Sequence, residues 1–156
     1  KSKKVKAKDV YYIAGAIENS KEEFLLVQRP ETGLLAKMWH FPLQEVTKEE
    51  YTELLHTWQK DEEQQLTLDL VAEDLSPQVF EELPVIWQRK HFGEVTHVFS
   101  HLKWHVLLFY GRTQESFTSE NGQWVQPKDF STFVFPKPQQ KLVTQFNKYQ
   151  KLDKHF

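Results

Sequence analysis

The 156-residue sequence contains no cysteine. Disulfides, thiolate zinc sites, iron–sulfur clusters and a cysteine nucleophile are therefore excluded within it. Long apolar runs are missing too: no stretch approaches the roughly 20 residues needed to cross a bilayer, and no signal peptide opens the chain. The expectation is a soluble intracellular domain with no membrane partner. A strong excess of one charge is also lacking, since the formal net charge is −2, an unpromising average for a polyanion binder. What is abundant is aromatic: 12 Phe, 5 Trp and 5 Tyr in a chain that is 39% hydrophobic. One aromatic-rich core in one domain suits this length.

The average charge conceals a pattern. Residues 1–8, KSKKVKAK, hold five lysines, whereas residues 45–82 hold twelve acids against Lys48 and Lys60. That leaves +3 for the rest of the chain. A polyanion would therefore have to avoid the acidic block and meet either the basic segment or the region after residue 90. Residues 1–8 are read as the end of a basic interdomain linker, and residues 9–156 as a single domain. The acidic block is a candidate protein-interaction face, although no short motif supports that role.

Residues 10–18, VYYIAGAIE, and 24–28, FLLVQ, read as strands joined by the polar turn Asn19-Ser20-Lys21-Glu22. The first is nearly continuous in apolar residues, as expected of a strand covered on both faces. Gly15 within it marks a bulge or a close approach of a helix. Residues 47–65 carry the clearest helix signal, with Thr47 and Glu50 in capping-box spacing and Tyr51, Leu54, Leu55 and Trp58 on one stripe. A strand over 66–71, a helical turn over 76–83, a short strand over 124–126 and a terminal helix over 136–149 follow. Leu142, Val143 and Phe146 lie on the inner face of that last helix. Residues 94–112 fit either a helix or two strands. β-Branched and aromatic enrichment between Gly93 and Gly111 favours a hairpin turning near Ser100, although no Gly, Asn or Pro announces that turn. The fold class expected is α+β, a mixed sheet packed by two main helices.

Two stretches carry a family likeness. WHFPLQEV, residues 39–46, resembles the aromatic-x-Phe-Pro lead-in to a Nudix box. GLLAKMWHFP, with HVFSHLKW and the later FVFPKPQQK, resembles the C-terminal domain of MutY-type adenine DNA glycosylases over about residues 10–149. The resemblance implies a Nudix-like fold and a role in reading 8-oxoguanine opposite adenine. It also implies partners: double-stranded DNA containing that pair, and an N-terminal catalytic domain of the same protein. That missing domain carries the family's iron–sulfur cluster, so no cofactor is expected here. The chain is then a recognition domain without catalytic residues of its own, in a bacterial, cytoplasmic, DNA-associated repair enzyme.

Two rivals can be weighed on residues alone. A Nudix pyrophosphohydrolase needs the box G-x5-E-x7-R-E-U-x-E-E-x-G-U, whose glutamates hold metal. Laid on from Pro42, the box puts Gln44 on its first glycine and Glu50 on its first glutamate. Trp58 and Gln59 fall on the Arg-Glu pair, Glu62 and Glu63 on Glu-Glu, and Gln65 on the last glycine. Mg²⁺ needs several hard oxygen ligands in tight geometry, and Glu62-Glu63 on an acidic helix is more simply a solvated face. The second rival is a metal site built from His97, His101 and His105. In a hairpin turning near Ser100, His97 and His105 come near each other across the strands, but His101 sits at the turn and does not converge with them.

8-Oxoguanine differs from guanine by an oxygen acceptor at C8 and a hydrogen on N7. Its reader needs a donor and an acceptor close together, and a serine at a hairpin tip supplies both through hydroxyl, N–H and C=O. The resemblance assigns this work to Phe99, Ser100 and His101. Phe99 anchors the loop or presses on a sugar, Ser100 meets the lesion, and His101 touches phosphate or sugar. His97 supports the loop by hydrogen bonding, and Lys103 and Lys90 are phosphate neighbours. Trp39 and Trp104 are core residues. His105 is read as ordinary packing or exposure. Arg29 is either a phosphate contact or one half of a surface ion pair.

Overall fold

The computed structural model describes residues 6–63, 80 and 83–153. The strand expected over 66–71, most of the turn over 76–83 and the first five residues of the basic segment lie outside them. The side chains of Trp58, Gln59, Glu62 and Glu63 lie outside as well.

The long central strand β1 (Lys8–Glu18) has the nearly unbroken apolar run of a doubly covered strand. It pairs in parallel with β7 (Leu102–Arg112) over its whole length, from Lys8↔Leu102 to Glu18↔Arg112. Its other edge pairs antiparallel with β4 (Leu43–Val46) and then, through a hairpin, with β2 (Phe24–Gln28). β3 (Trp39–His40) and β8 (Gly122–Val125) both add to β2. β5 (Ile86–Trp87) and β6 (Glu94–Val98) add to opposite ends of β7. The sheet is mixed, as expected, and has eight strands among the described residues.

Alternation along the strands divides the core into two faces. Ala14, Ala16, Trp104, Val106 and Leu108 meet Leu142 and Phe146 of α2 (Lys137–Asp153). Ile13, Leu107 and Phe109 meet Tyr51 of α1 (Lys48–Glu63). Each buried Val, Leu, Ile or Phe among them contributes about 1.5–3 kcal/mol. The capping box forms: Thr47 Oγ1 accepts the Glu50 N–H and Glu50 Oε1 accepts the Thr47 N–H, both at 3.1 Å. Gly15 marks a close approach, made by an indole rather than a helix. A Cβ there would lie 2.8 Å from Trp87 Cη2, and one at Gly111 would lie 2.4 Å from Val85 Cγ1.

The hairpin resolves the ambiguity of residues 94–112 in favour of strands. β6 and β7 pair from Glu94↔Leu107 to Val98↔Lys103. Phe99 N–H donates to Leu102 O at 2.6 Å, so Ser100 and His101 form a two-residue tip. The non-glycine residues with positive φ are Glu22, Leu35, Lys37 and Asn121. Neither tip residue is among them, which explains why no Gly or Asn marks the turn.

Candidate nucleic-acid interface

Ser100 and His101 are both exposed at the tip. The Lys8 N–H, at the start of β1, donates to His101 O at 2.9 Å. Lys8, the last residue of the basic segment, therefore joins the sheet beside the tip. Among the described residues, the Ser100 N–H and C=O have no backbone partner within the chain. The tip thus offers a hydroxyl, a backbone donor and a backbone acceptor on one residue.

Phe99 roots this tip. Its ring stands edge-on to Trp104 at 5.1 Å between centroids and to His97 at 4.8 Å. Trp104 is a core residue, only 2% exposed, and packs against Tyr12 at 4.8 Å. Trp39 is half-buried against Phe133, edge to face at 5.1 Å. Of the two roles expected for Phe99, the anchoring one is thus visible in the packing.

Arg29 has partners within the fold. Its guanidinium lies 5.6 Å over the Trp104 ring, a favourable cation–π placement. Arg29 Nε donates to Leu34 O at 3.0 Å, and Nη1 lies 3.4 Å from His40 Nε2. Arg29 therefore ties the 30–38 loop to the base of the hairpin. That loop holds Leu35 and Lys37 at φ 57° and 63°, a conformation costing such residues on the order of 1 kcal/mol or more each. Further bonds fix it: Lys37 N–H to Pro30 O at 3.0 Å and Arg29 N–H to Met38 O at 2.9 Å.

His40, in the WHFP stretch, is buried. Its Nδ1–H donates to Phe41 O at 2.6 Å, leaving Nε2 to face the Arg29 guanidinium. Burial, partly offset by the bond to Phe41 O and reinforced by the Arg29 charge, lowers its pKa to about 4. Gln139, also buried, accepts the Phe41 N–H at 2.8 Å. Neither His40 nor Gln139 was singled out by sequence, because each is defined by a partner across the fold rather than by a local pattern.

The three histidines do not converge. A two-residue tip pairs His97 with Trp104 and Thr96 with His105, so His97 and His105 stand on opposite faces of the sheet. The expectation that they approach across the strands is corrected by this register. His105 Nε2 bonds Asp9 Oδ1 at 2.8 Å and its ring stacks on Tyr11 at 4.7 Å. The strand-packing reading of His105 therefore holds, with a hydrogen bond to Asp9 added to it. The hydrogen bond from His105 leads the effects that hold the Asp9 carboxyl below its usual range. His97 does bond near the loop, to Lys141 Nζ at 3.0 Å. Lys103 flanks the tip, opposite Val98. Lys90 does not: its neighbours Gln88 and Phe92 bond Tyr110 O and Leu108 O. Leu108 is six residues along β7 from the tip, about 20 Å at strand rise. A cavity of about 580 Å³, floored by Phe24, Phe41, Phe130 and Phe146, opens at the Glu18 end of β1, also remote from the tip.

The family described as NUDIX domain matches residues 13–145. The chain belongs to the NUDIX domain family. It is also similar to part of the adenine DNA glycosylases of Rattus norvegicus, 30% identical over 131 residues, and Homo sapiens, 31% over 132. Those matches cover 81% and 82% of this chain but 22% and 21% of the relatives, so it spans about a fifth of their length. Two solved structures share the fold. The C-terminal domain of mouse MUTYH, solved in complex with human PCNA, superposes with TM-score 0.59 at 23% identity, covering 94% of this chain and 97% of that one. The MutT protein from Methanosarcina mazei Go1 gives 0.65 at 18% identity, covering 94% and 98%.

The structure also assigns local work to one box position of this NUDIX domain. Glu50, on the first glutamate of the box, closes the cap of α1 with its carboxylate. Tyr51 beside it points into the α1 face, where its hydroxyl donates to Glu94 Oε2 at 2.5 Å. Burial, followed by this bond and the Glu94 charge, pushes the Tyr51 phenol pKa well up.

Proposed function

We propose that this NUDIX domain is the lesion-recognition part of an adenine DNA glycosylase, reading 8-oxoguanine opposite adenine, with the excision chemistry supplied by another domain of the same protein. The observation that carries the reading is the two-residue tip, with Ser100 exposed and its N–H and C=O unspent, rooted by Phe99 on Trp104. The similarity to adenine DNA glycosylases, coupled with the FSH triplet standing at that tip, supports it.

The chemistry is a matter of polarity. The lesion's O8 takes a donor and its N7–H takes an acceptor. A hydroxyl alone discriminates poorly, since it can also donate to the N7 of normal guanine. A backbone group of fixed polarity beside it makes the wrong base leave a polar atom unpaired in a dehydrated contact, at about 1–3 kcal/mol. No cofactor enters this reading. Glu50, at the first-glutamate position of the box, serves the helix cap through Oε1.

Ser100→Ala, which keeps the backbone N–H and C=O and loses only the hydroxyl, is expected to lower the binding preference for 8-oxoguanine:adenine over guanine:adenine duplexes by roughly two- to tenfold. Paired titrations of both duplexes with native and variant protein measure it. An unchanged ratio removes the Ser100 hydroxyl from the lesion contact.

A further inference from the structure

β6 is an edge strand, since it pairs with β7 alone among the described strands. Its open side faces the first half of α2 across a groove of about 530 Å³, lined by Thr96, Lys137, Gln140, Lys141 and Thr144 among others. This groove begins three residues from Phe99 and runs back along β6 from the tip. Its acid, Glu94, lies at the far end, where the carboxylate already accepts the Tyr51 hydroxyl.

Lys141 is held at a fixed point in it. Its ammonium donates to Thr96 O at 2.9 Å and lies 3.0 Å from His97 Nδ1. An ammonium has three N–H donors and no acceptor. Two are therefore committed, and the third is left for an outside acceptor. Because Lys can only donate, His97 Nδ1 must accept, which places the ring proton on Nε2. His97 becomes a neutral donor of defined tautomer. Its burial, followed by the charges of Lys141 and Lys137, lowers its pKa and opposes a second proton.

Lys137 lies in the first turn of α2, where the helix dipole favours anions and disfavours cations. Stability of the helix does not account for a lysine there, whereas an anion arriving at that place would meet its charge.

We propose that the β6–α2 groove is a nucleic-acid backbone site, in which Lys137 and Lys141 take phosphates and Lys141 positions His97 as an Nε2–H donor beside the tip. This rests on the nucleic-acid reading of the tip and extends it to a second flank. The tip reads the base, and the groove holds the strand without regard to sequence. Because two bonds hold Lys141 in place beforehand, little side-chain entropy is lost when phosphate binds.

The test is the salt dependence of binding to an undamaged duplex by this chain. Fluorescence anisotropy is followed across a salt series for the native chain, Lys137→Gln, Lys141→Met, the double variant and Lys148→Gln as a control on the same helix. Each groove variant is expected to reduce the slope of log K against log salt by about 0.9, and the double variant by about twice that. Lys148→Gln leaves it unchanged. The ¹⁵N shifts of the His97 ring report the Nε2–H tautomer in the native chain and a mixture in Lys141→Met, and thermal unfolding checks that the variants stay folded. Unchanged slopes in folded variants would overturn the proposal. So would failure of the native chain to bind duplex at low salt, or Lys137- and Lys141-dependent capture of an acidic peptide in place of duplex. Reduced slopes with no lesion preference in the native chain would sink the Ser100 reading and leave the groove standing.

Discussion

Trp104→Ala is expected to remove about 3–5 kcal/mol of stability, the usual cost of truncating a buried aromatic. Trp104 is 2% exposed and is the shared neighbour of three parts. Tyr12 of β1 packs on it at 4.8 Å, Phe99 of the tip at 5.1 Å, and the Arg29 guanidinium lies over its ring at 5.6 Å. A domain of this kind has roughly 5–15 kcal/mol in total, so the variant lies near the edge of folding. Equilibrium urea unfolding measures the loss. Phe99→Leu, which keeps most of the apolar volume, is expected to cost less than half as much, since Phe99 is only half-buried. If Trp104→Ala cost no more than Phe99→Leu, the indole would not be the root of the hairpin.

Acidification is expected to destabilise the fold through His40. Its pKa lies at about 4 in the folded chain against the ordinary 6.5. The folded state thus favours the uncharged ring, while the unfolded chain takes a proton first as pH falls. The stability belonging to this group is present above pH 6.5 and is lost as pH drops from 6.5 towards 4. Below the lower value both states are protonated and no further loss follows. The depression amounts to about 3 kcal/mol across that window. His91, lowered chiefly by burial, adds a loss of the same sign. The difference between native and His40→Gln stability curves isolates the His40 share. The native curve is expected to fall more steeply between pH 6.5 and 4, and parallel curves would contradict the assignment.

The parts of the fold legible in the sequence are those set by local periodicity or local chemistry. The apolar run of β1, the capping box at Thr47 and Glu50, and the Leu142–Phe146 face of α2 each follow from neighbours in the chain. The tip was placed at Ser100 by enrichment and by family resemblance, and it stands there. The faces of the flanking histidines were not legible, because they depend on one residue of loop length. A two-residue tip pairs His97 with Trp104, whereas a three-residue loop centred on His101 would pair it with His105. Arg29, His40, Gln139 and Lys141 escaped for a different reason. Their partners lie 11 residues away for Arg29 and His40, 98 for Gln139 and Phe41, and 44 for Lys141 and His97. No pattern in a sequence window reports such contacts. Sequence also left Arg29 divided between two surface roles and did not report its place between a loop and an indole.

The central claim is that the Phe99-Ser100-His101 tip touches the oxidised base itself, and lesion-dependent amide shifts test it most directly. Two duplexes differing only in guanine or 8-oxoguanine opposite adenine are titrated into ¹⁵N-labelled chain, and the difference between the two sets of shifts is mapped. The account predicts that this difference is concentrated at Ser100 and its two neighbours, while Lys137 and Lys141 shift equally with both duplexes. A lesion-dependent difference located on α1 or around the Phe24–Phe146 cavity, with the tip unchanged, would contradict it.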